Sequence, residues 1–178
     1  MRLSAKGREY YTCPTCGFRS TRYLAIDRSR RIEGTSAGIR HFGAGAFVWR
    51  NGRILLLQRP RYPFAFAIPG GHMDERESPK KTLRREVWEE TGLRLERPRL
   101  VYHDELPGDR CRKGGDRHVW WLYEDRGIGR VRGSDESRRL RWFRPSELRG
   151  VPLTYCTRYL LRKFGILKKE VKKRSHVR

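Results

Sequence analysis

The stretch from Gly71 to Leu93, GHMDERESPKKTLRREVWEETGL, constrains what this chain can fold into more than any other. Ser78-Pro79 predicts a helix start, because serine caps the first turn and the N–H that proline lacks is not needed there. Thr91-Gly92 predicts the helix end, since glycine tolerates the left-handed backbone just past a last turn. The sequence therefore predicts one helix between these two positions.

Three carboxylates fall on one face of that helix. Glu86, Glu89 and Glu90 stand at positions i, i+3 and i+4, whereas Leu83 and Val87 can pack the other side against a core. Three negative charges so close together repel one another, and a cation among them would offset this repulsion. Mg²⁺ or Mn²⁺ suits such oxygen ligands best, with substrate phosphates in the remaining positions. The alternative is a solvated helix whose exposed face happens to be rich in glutamate.

The same stretch resembles a complete Nudix box. The box is Gly, five residues, Glu, seven residues, Arg-Glu, an apolar residue, any residue, Glu-Glu, any residue, Gly and an apolar residue, all of which this chain matches. The fixed positions are filled by Gly71, Glu77, Arg85, Glu86, Val87, Glu89, Glu90, Gly92 and Leu93. The chain is therefore identified as a candidate member of the Nudix hydrolase family.

That resemblance implies a fold and a reaction. The fold is of the α/β class, an α/β/α sandwich with a mixed β-sheet between helices. The reaction is hydrolysis of a nucleoside diphosphate linked to another group: water attacks a phosphorus of the pyrophosphate, and Mg²⁺ or Mn²⁺ stabilises the developing charge.

The resemblance also implies roles for particular residues. Glu89 and Glu90 become metal ligands, Glu86 becomes a ligand or the base that activates water, and a backbone carbonyl near Gly71 completes the set. Arg85 is expected to act in the same site.

Arg85 is expected to pair with Glu77 and orient the helix rather than touch substrate. The base varies between relatives and often lies in a later loop, where Glu136 is the first candidate, with Asp135 and Glu124 behind it. Each of these three is also explained as an ordinary loop carboxylate.

The remaining chain divides into three parts. Residues 1–40 are predicted to be a basic appendage, 41–167 the catalytic domain, and 168–178 a basic tail. Within the domain, strands are predicted at Phe42–Trp49, Arg53–Gln58, Phe64–Ile68, Arg99–His103, Val119–Glu124 and Leu140–Phe143. A short helix is predicted at Pro145–Leu148 and a second large helix over Leu153–Leu167. Pro69-Gly70-Gly71 is predicted to be a turn, and Asp104–Arg117 a mobile loop beside the site.

The appendage contains Cys13-Pro14-Thr15-Cys16, which resembles one knuckle, or half, of a zinc ribbon. A ribbon needs a second cysteine pair, and Cys111 and Cys156 stand alone. His41, Cys111 or His118 could complete a zinc site through the fold. The alternatives are a knuckle without its partner, a thiol pair, or a site shared between chains.

The chain carries 42 Lys and Arg against 20 Asp and Glu, a net charge of +22. Such a field attracts polyanions such as RNA, although an arginine-biased proteome explains it equally well. No membrane span or secretory signal is visible, so a cytoplasmic location is expected. Oligomeric state is not indicated.

Three functions stay open. The first is a hydrolase of free nucleoside triphosphates, modified nucleotides or ADP-ribose-like substrates, for which Pro107 is a weak hint. The second is an RNA 5′-end pyrophosphohydrolase or decapping enzyme. The third is a binding protein that uses the scaffold to hold RNA or the ribosome, which would be expected to lose box carboxylates. The aromatic candidates for base stacking are Phe64, Trp120, Trp121 and Tyr123.

Overall fold

The computed structural model describes residues 10–12, 19–21, 29–60, 64–111, 113–134 and 139–168. Near the N-terminus, β1 (Tyr10–Thr12) and β2 (Arg19–Thr21) form a small antiparallel sheet. Cys13 and Cys16 are on the segment that joins these two strands, and they lie outside the described residues, so the predicted knuckle stays a prediction.

A second, nine-stranded sheet forms the body of the molecule within the described ranges. Its strands are β3 (Ile32–Thr35), β4 (Gly38–Arg50), β5 (Arg53–Gln58), β6 (Phe66–Ala67), β7 (Gly70–His72), β8 (Arg94–Leu95), β9 (Arg99–Leu106), β10 (Arg117–Ile128) and β11 (Arg139–Phe143). The path β11-β5-β4-β10-β8 is extended by β3 and β7 on β4, β6 on β5, and β9 on β10. Strands β4 and β10 run parallel and the other pairs antiparallel, so the sheet is mixed.

Strand β4 is the centre of the sheet. It turns into β5 through Asn51 and Gly52, both with positive φ, which is the hairpin that the sequence predicts. Two of its glycines allow close packing: a Cβ at Gly43 would lie 3.0 Å from the Gly71 carbonyl, and one at Gly45 would lie 3.3 Å from the Trp120 ring. These glycines serve packing and not a nucleotide loop.

The helices cover the two faces of the sheet. Helix α1 (Pro79–Thr91) packs Leu83 and Val87 against Ala44 and Ala46 of β4. On the opposite face, α2 (Tyr155–Lys163) contributes Leu160 and Leu161 to the other core cluster. A 3₁₀ helix covers Pro145–Leu148, as predicted. The architecture is the expected α/β/α sandwich.

Several boundaries differ from the sequence prediction. Gly70 and Gly71 belong to β7 rather than to a turn, because their backbone pairs with β4. Strand β9 continues to Leu106, so the predicted loop is shorter. Strand β3 and the start of β4 precede residue 41 yet belong to the large sheet. In the described parts of the chain, no helix combines the length and apolar character needed to cross a membrane.

Candidate active site

Helix α1 begins and ends where the sequence predicts. The Ser78 hydroxyl accepts a hydrogen bond from the Lys81 N–H at 3.3 Å, and Pro79 occupies the first turn. Gly92 takes the left-handed conformation, with φ of 69°, and its N–H donates to the Trp88 carbonyl. These caps set the two ends of α1 and therefore which residues lie on its helical faces.

Strand β7 and α1 bring glycines and carboxylates into direct contact. The Gly70 N–H donates to a Glu90 oxygen at 2.8 Å. A Cβ at Gly71 would lie 2.4 Å from the Glu86 carboxyl carbon, a separation that only glycine permits. Glu86 and Glu90 are buried, whereas Glu89 is on the exposed side of the same face.

Arg85 joins these carboxylates into one network. Its guanidinium donates to Glu77 at 2.8 Å, to Glu86 at 2.8 Å and to Glu89 at 3.2 Å. It also donates to the His72 carbonyl at 3.2 Å, which ties α1 to the end of β7. The Arg85–Glu77 pair implied by the resemblance is therefore present in the structure.

The Arg85 contacts change the protonation behaviour of Glu77. Hydrogen bonds from Arg85 are the main reason that the pKa of Glu77 falls to about 2, and the Thr82 hydroxyl, which donates at 2.8 Å, acts in the same direction. Burial opposes the shift but is outweighed. The pKa of Arg85 is raised in turn, and its hydrogen bonds to Glu77 are the largest cause. This pair is thus fully charged near neutral pH.

The donor set fits a hard divalent cation. Glu86, Glu89 and Glu90 offer only oxygen ligands, and the absence of a side chain at Gly71 lets the Glu86 carboxylate lie against the backbone of β7. Oxygen ligands from carboxylates are what Mg²⁺ and Mn²⁺ prefer. In the structure Arg85 contacts two of the three carboxylates and offsets part of their negative charge.

The candidates for a general base are only partly described. Glu136 and Asp135 lie outside the described residues, so the prediction that Glu136 acts as base stays a prediction. Glu124 pairs with Arg99 on the neighbouring strand. Leu122, two residues earlier on β10, packs in the core cluster that contains Leu160 and Leu161 of α2, called the α2-side core below. Because side chains alternate along a strand, Glu124 points to the same side, away from α1. Glu124 is therefore a poor candidate.

The predicted aromatic residues do not form one platform. Trp120 lies over Gly45 on the α2 face, while Trp121 stacks on His103 with ring centroids 4.2 Å apart. Tyr123 is buried in the core cluster that contains Leu83 and Val87 of α1. Phe64 is an exposed side chain. Pro107 lies in a turn, and its backbone carbonyl accepts a hydrogen bond from the Tyr155 hydroxyl at 2.5 Å.

A second cluster of functional side chains lies away from the glutamates. His41, His72, Cys111 and His118 present one ligand atom each, all within 4.8 Å of one another. Sequence reasoning named His41, Cys111 and His118 as partners for the cysteine knuckle but missed His72. Its contribution depends on the pairing of β7 with β4, and the sequence pattern does not reveal that pairing.

The members of this His/Cys cluster shift one another's pKa values. Burial opposes ionisation of Cys111, but hydrogen bonds from His118, His41 and His72 lower the pKa of the thiol to about 3. Burial likewise opposes a charge on His118, yet Cys111 and Asp109 raise its pKa to about 9. Burial is the main cause of the lowered pKa of His72.

Comparison with known proteins identifies the family of the chain. The model of the NUDIX domain matches residues 39–164. A MutT-like protein of Streptomyces ambofaciens is 33% identical over 112 residues, covering 59% of this chain and 64% of the relative. An RNA pyrophosphohydrolase of Cereibacter sphaeroides is 36% identical over 102 residues, covering 49% and 58%.

Solved structures give the same result. A MutT NUDIX hydrolase from Burkholderia pseudomallei superposes with a TM-score of 0.61 at 33% identity, covering 69% of this chain and 96% of that one. A bifunctional NMN adenylyltransferase/ADP ribose pyrophosphatase from Francisella tularensis, solved with AMP and Mn, shares the fold at 19% identity and a TM-score of 0.58, with 73% and 42% covered.

The chain belongs to the NUDIX family, since the family model matches well over half of its length. It has MutT-like and RNA pyrophosphohydrolase homologues, although the matched segment spans only 64% and 58% of the curated relatives named above.

Proposed function

We propose that this protein is a Mg²⁺- or Mn²⁺-dependent pyrophosphohydrolase that cleaves a nucleoside diphosphate linked to another group. The observation that carries the proposal is the contact between β7 and α1. Glu86 lies against Gly71 and Glu90 accepts from Gly70, with Glu89 on the same helix face. Three carboxylates beside the backbone of Gly70 and Gly71 offer the oxygen ligands that a divalent cation with a bound phosphate chain requires.

In this proposal each residue has a distinct task. Glu89 and Glu90 hold the metal, and Glu86 is a further ligand or takes the proton from the attacking water. A bound divalent ion would stabilise the charge that develops on the phosphate oxygens. Arg85 is a positioning residue in this proposal, and its contacts with Glu77, Glu86 and Glu89 support that role.

Product analysis by mass spectrometry tests the proposal and identifies the substrate class. The panel contains canonical and oxidised nucleoside triphosphates, ADP-ribose, a dinucleoside polyphosphate, and triphosphorylated and capped RNA. Glu90→Gln is expected to lower the rate on the cleaved substrate on the order of a hundredfold or more, as for other removed electrostatic stabilisers.

The matched control is Glu96→Gln, because Glu96 is an exposed glutamate outside the glutamate face. It is expected to keep full activity. A Glu90→Gln protein that cleaves as fast as the unaltered chain would exclude the assigned role of this carboxylate. A folded chain that cleaves no member of the panel would favour the binding-protein alternative.

A free nucleotide or an ADP-ribose-like molecule is the first substrate candidate, since it needs only the box and the common fold. An RNA 5′ end is the second, and two observations favour it: the net charge of +22, and relatives named RNA pyrophosphohydrolase. Cleavage restricted to RNA ends would select the second candidate, whereas cleavage of a free nucleotide would select the first.

A further inference from the structure

Three neighbouring strands each present one histidine on the same face of the sheet. His41 of β4 is directly opposite His118 of β10, and His72 of β7 lies opposite Gly43, two residues further along β4. Gly71 faces Glu86 on the α1 side, so its neighbour His72 points to the other side. The three histidines are therefore separated from the glutamate face by the sheet itself.

The three imidazoles surround a common centre. Their ring centroids are 5.2, 5.4 and 5.3 Å apart, and each pair of rings meets edge to face. Cys111 reaches the same centre from the loop between β9 and β10, and its thiol is not in a disulfide. Three imidazoles and one thiol, whose ligand atoms lie within 4.8 Å of one another, can supply the four ligands of a single ion.

Two distances match tetrahedral zinc. With ordinary bond lengths, such an ion separates two nitrogen ligands by about 3.3 Å and a nitrogen from a sulfur by about 3.6 Å. The His72 Nε2–His118 Nε2 distance is 3.3 Å, and the Cys111 Sγ–His41 Nδ1 distance is 3.6 Å. Thiolate and imidazole donors suit zinc and are disfavoured by Mg²⁺.

An outer contact holds His118 in the orientation that a metal ligand requires. The Nδ1 atom of His118 lies 2.6 Å from the Asp109 carbonyl, so an Nδ1–H would donate there and leave Nε2 free to bind. The Asp109 carboxylate accepts a hydrogen bond from the Trp120 indole at 2.9 Å. His41 and His118 are buried, which shields such a site from water.

The loop that carries Cys111 is shaped to fit over His41. The Cys111 N–H donates to the Gly115 carbonyl at 3.0 Å, closing a turn. A Cβ at Gly115 would lie 2.8 Å from the His41 ring and 3.2 Å from the Cys111 sulfur, so only glycine allows this approach. Asp116 then fastens the loop to β4 by accepting from the Ile39 N–H at 2.8 Å.

We propose that His41, His72, Cys111 and His118 bind one structural zinc ion that fastens the β9–β10 loop to β4 and β7. All four protein ligands are supplied, as in closed structural sites, so the ion is expected to have no catalytic position. Strand β7 then lies between two metal centres: the side chain of His72 serves the zinc, and the backbone of Gly71 borders the glutamates. The zinc site stands on its own geometry and does not depend on the proposed hydrolysis.

Metal analysis of the full chain, reconstituted with zinc and passed through a desalting column, tests the proposal. About one zinc ion per chain is expected, as for other closed four-ligand sites. Cobalt-substituted protein is expected to show strong tetrahedral visible bands and a sulfur-to-cobalt charge-transfer band. That charge-transfer band should disappear in Cys111→Ser, which removes the only thiolate of the site.

Two controls locate the ion. Cys156→Ser should keep the charge-transfer band, since Cys156 packs in the α2-side core. The double variant Cys13→Ser/Cys16→Ser should also keep it. A band that survives in Cys111→Ser and disappears in the double variant would assign the ion to the cysteine knuckle and overturn the proposal.

Alkylation of the unaltered chain gives a test that does not require a variant to fold. Cys111 is expected to resist iodoacetamide while zinc is bound and to react after a chelator is added, with peptide mapping as the readout. Cys156 serves as the internal reference, because its labelling should not depend on the chelator. Equal labelling of Cys111 before and after chelation, or protein that holds no zinc after reconstitution, would contradict the site.

Discussion

Gly71 shows how one missing side chain shapes the glutamate face. Its backbone pairs with Ala44, and the space that a Cβ would fill is occupied by the Glu86 carboxylate. An added methyl group must therefore displace either the strand or the carboxylate. Misplacing a catalytic group by about 1 Å costs on the order of a hundredfold in rate.

Gly71→Ala is accordingly expected to fold but to lose activity on the order of a hundredfold, measured as kcat/KM on the substrate that the panel identifies. Gly52→Ala is the matched control, since a Cβ there meets no atom within 4 Å. Because φ at Gly52 is positive, this control should lose about 1 kcal/mol of stability and keep its activity. Full activity in Gly71→Ala would show that Glu86 needs no such precise position.

Glu77 gives a prediction on pH and stability. Its pKa falls from the ordinary value of 4.5 to about 2 when the chain folds, and hydrogen bonds from Arg85 are the largest cause. A depressed carboxyl pKa stabilises the folded state above the unfolded pKa, and this stabilisation is lost as the pH falls toward the folded pKa. The relevant window is therefore pH 4.5 to about 2.

Glu77→Gln should lower the free energy of unfolding by about 2 kcal/mol at neutral pH, the scale of a hydrogen bond to a charged partner. The difference from the unaltered chain should shrink as the pH falls below the ordinary carboxyl value. Urea unfolding at a series of pH values measures it. A difference that stays constant through the acid range would mean that the Glu77 charge does not stabilise the fold.

At the scale of elements, the two helices differ in how much the sequence reveals. Helix α1 could be predicted from end to end, since a cap, a proline and a glycine mark its limits locally. Helix α2 is shorter than its apolar periodicity suggests, because both Leu153 and Leu167 lie outside it. Leu153 instead forms a β-bridge with Phe66. The bridge at Leu153 delays the start of the helix, whereas Gly165, with φ of 68°, marks its end locally.

Helix α2 is expected to contribute to stability mainly through its fully buried leucines. Leu160→Ala should cost about 3 kcal/mol in the free energy of unfolding, because it opens a cavity in the α2-side core. Leu100→Ala is the control, since Leu100 is 47% exposed and should cost far less. Equal losses in a urea titration would mean that α2 does not pack as described.

Strand β7 shows why parts of the site could not be predicted. Pro69-Gly70-Gly71 has the composition of a turn, yet Gly70–His72 pairs with β4 because the helix beyond it is anchored to that strand. The alternating directions of Gly71 and His72 place one at the glutamates and the other at the His/Cys cluster. Strand order is a property of the whole fold, so His72 gave no local signal.

For the molecule as a whole, charge is the feature with a testable consequence. The net charge is +22, and six of the twenty acids are in the stretch 71–93, which leaves the rest of the surface strongly basic. Binding to RNA should release counterions and weaken steeply with salt. Binding of a small nucleotide at the glutamate face should depend on salt much less, because fewer phosphates are contacted.

The affinity of triphosphorylated RNA for the chain is expected to fall on the order of tenfold or more between about 50 mM and about 200 mM salt. Fluorescence anisotropy of labelled RNA measures this, with a labelled nucleoside triphosphate as the control ligand. If RNA binds weakly and independently of salt, the charge plays no part in substrate recognition and the free-nucleotide candidate gains support.

The central claim is hydrolysis of a pyrophosphate by water at the glutamate face, and ¹⁸O-labelled water tests it most directly. The panel substrate that is cleaved is incubated with Mg²⁺ in labelled water, and the products are weighed by mass spectrometry. We predict one ¹⁸O atom in one phosphate product, and labelled product that Glu90→Gln forms on the order of a hundredfold more slowly. Products without label, or labelled products formed equally by Glu90→Gln, would contradict the mechanism.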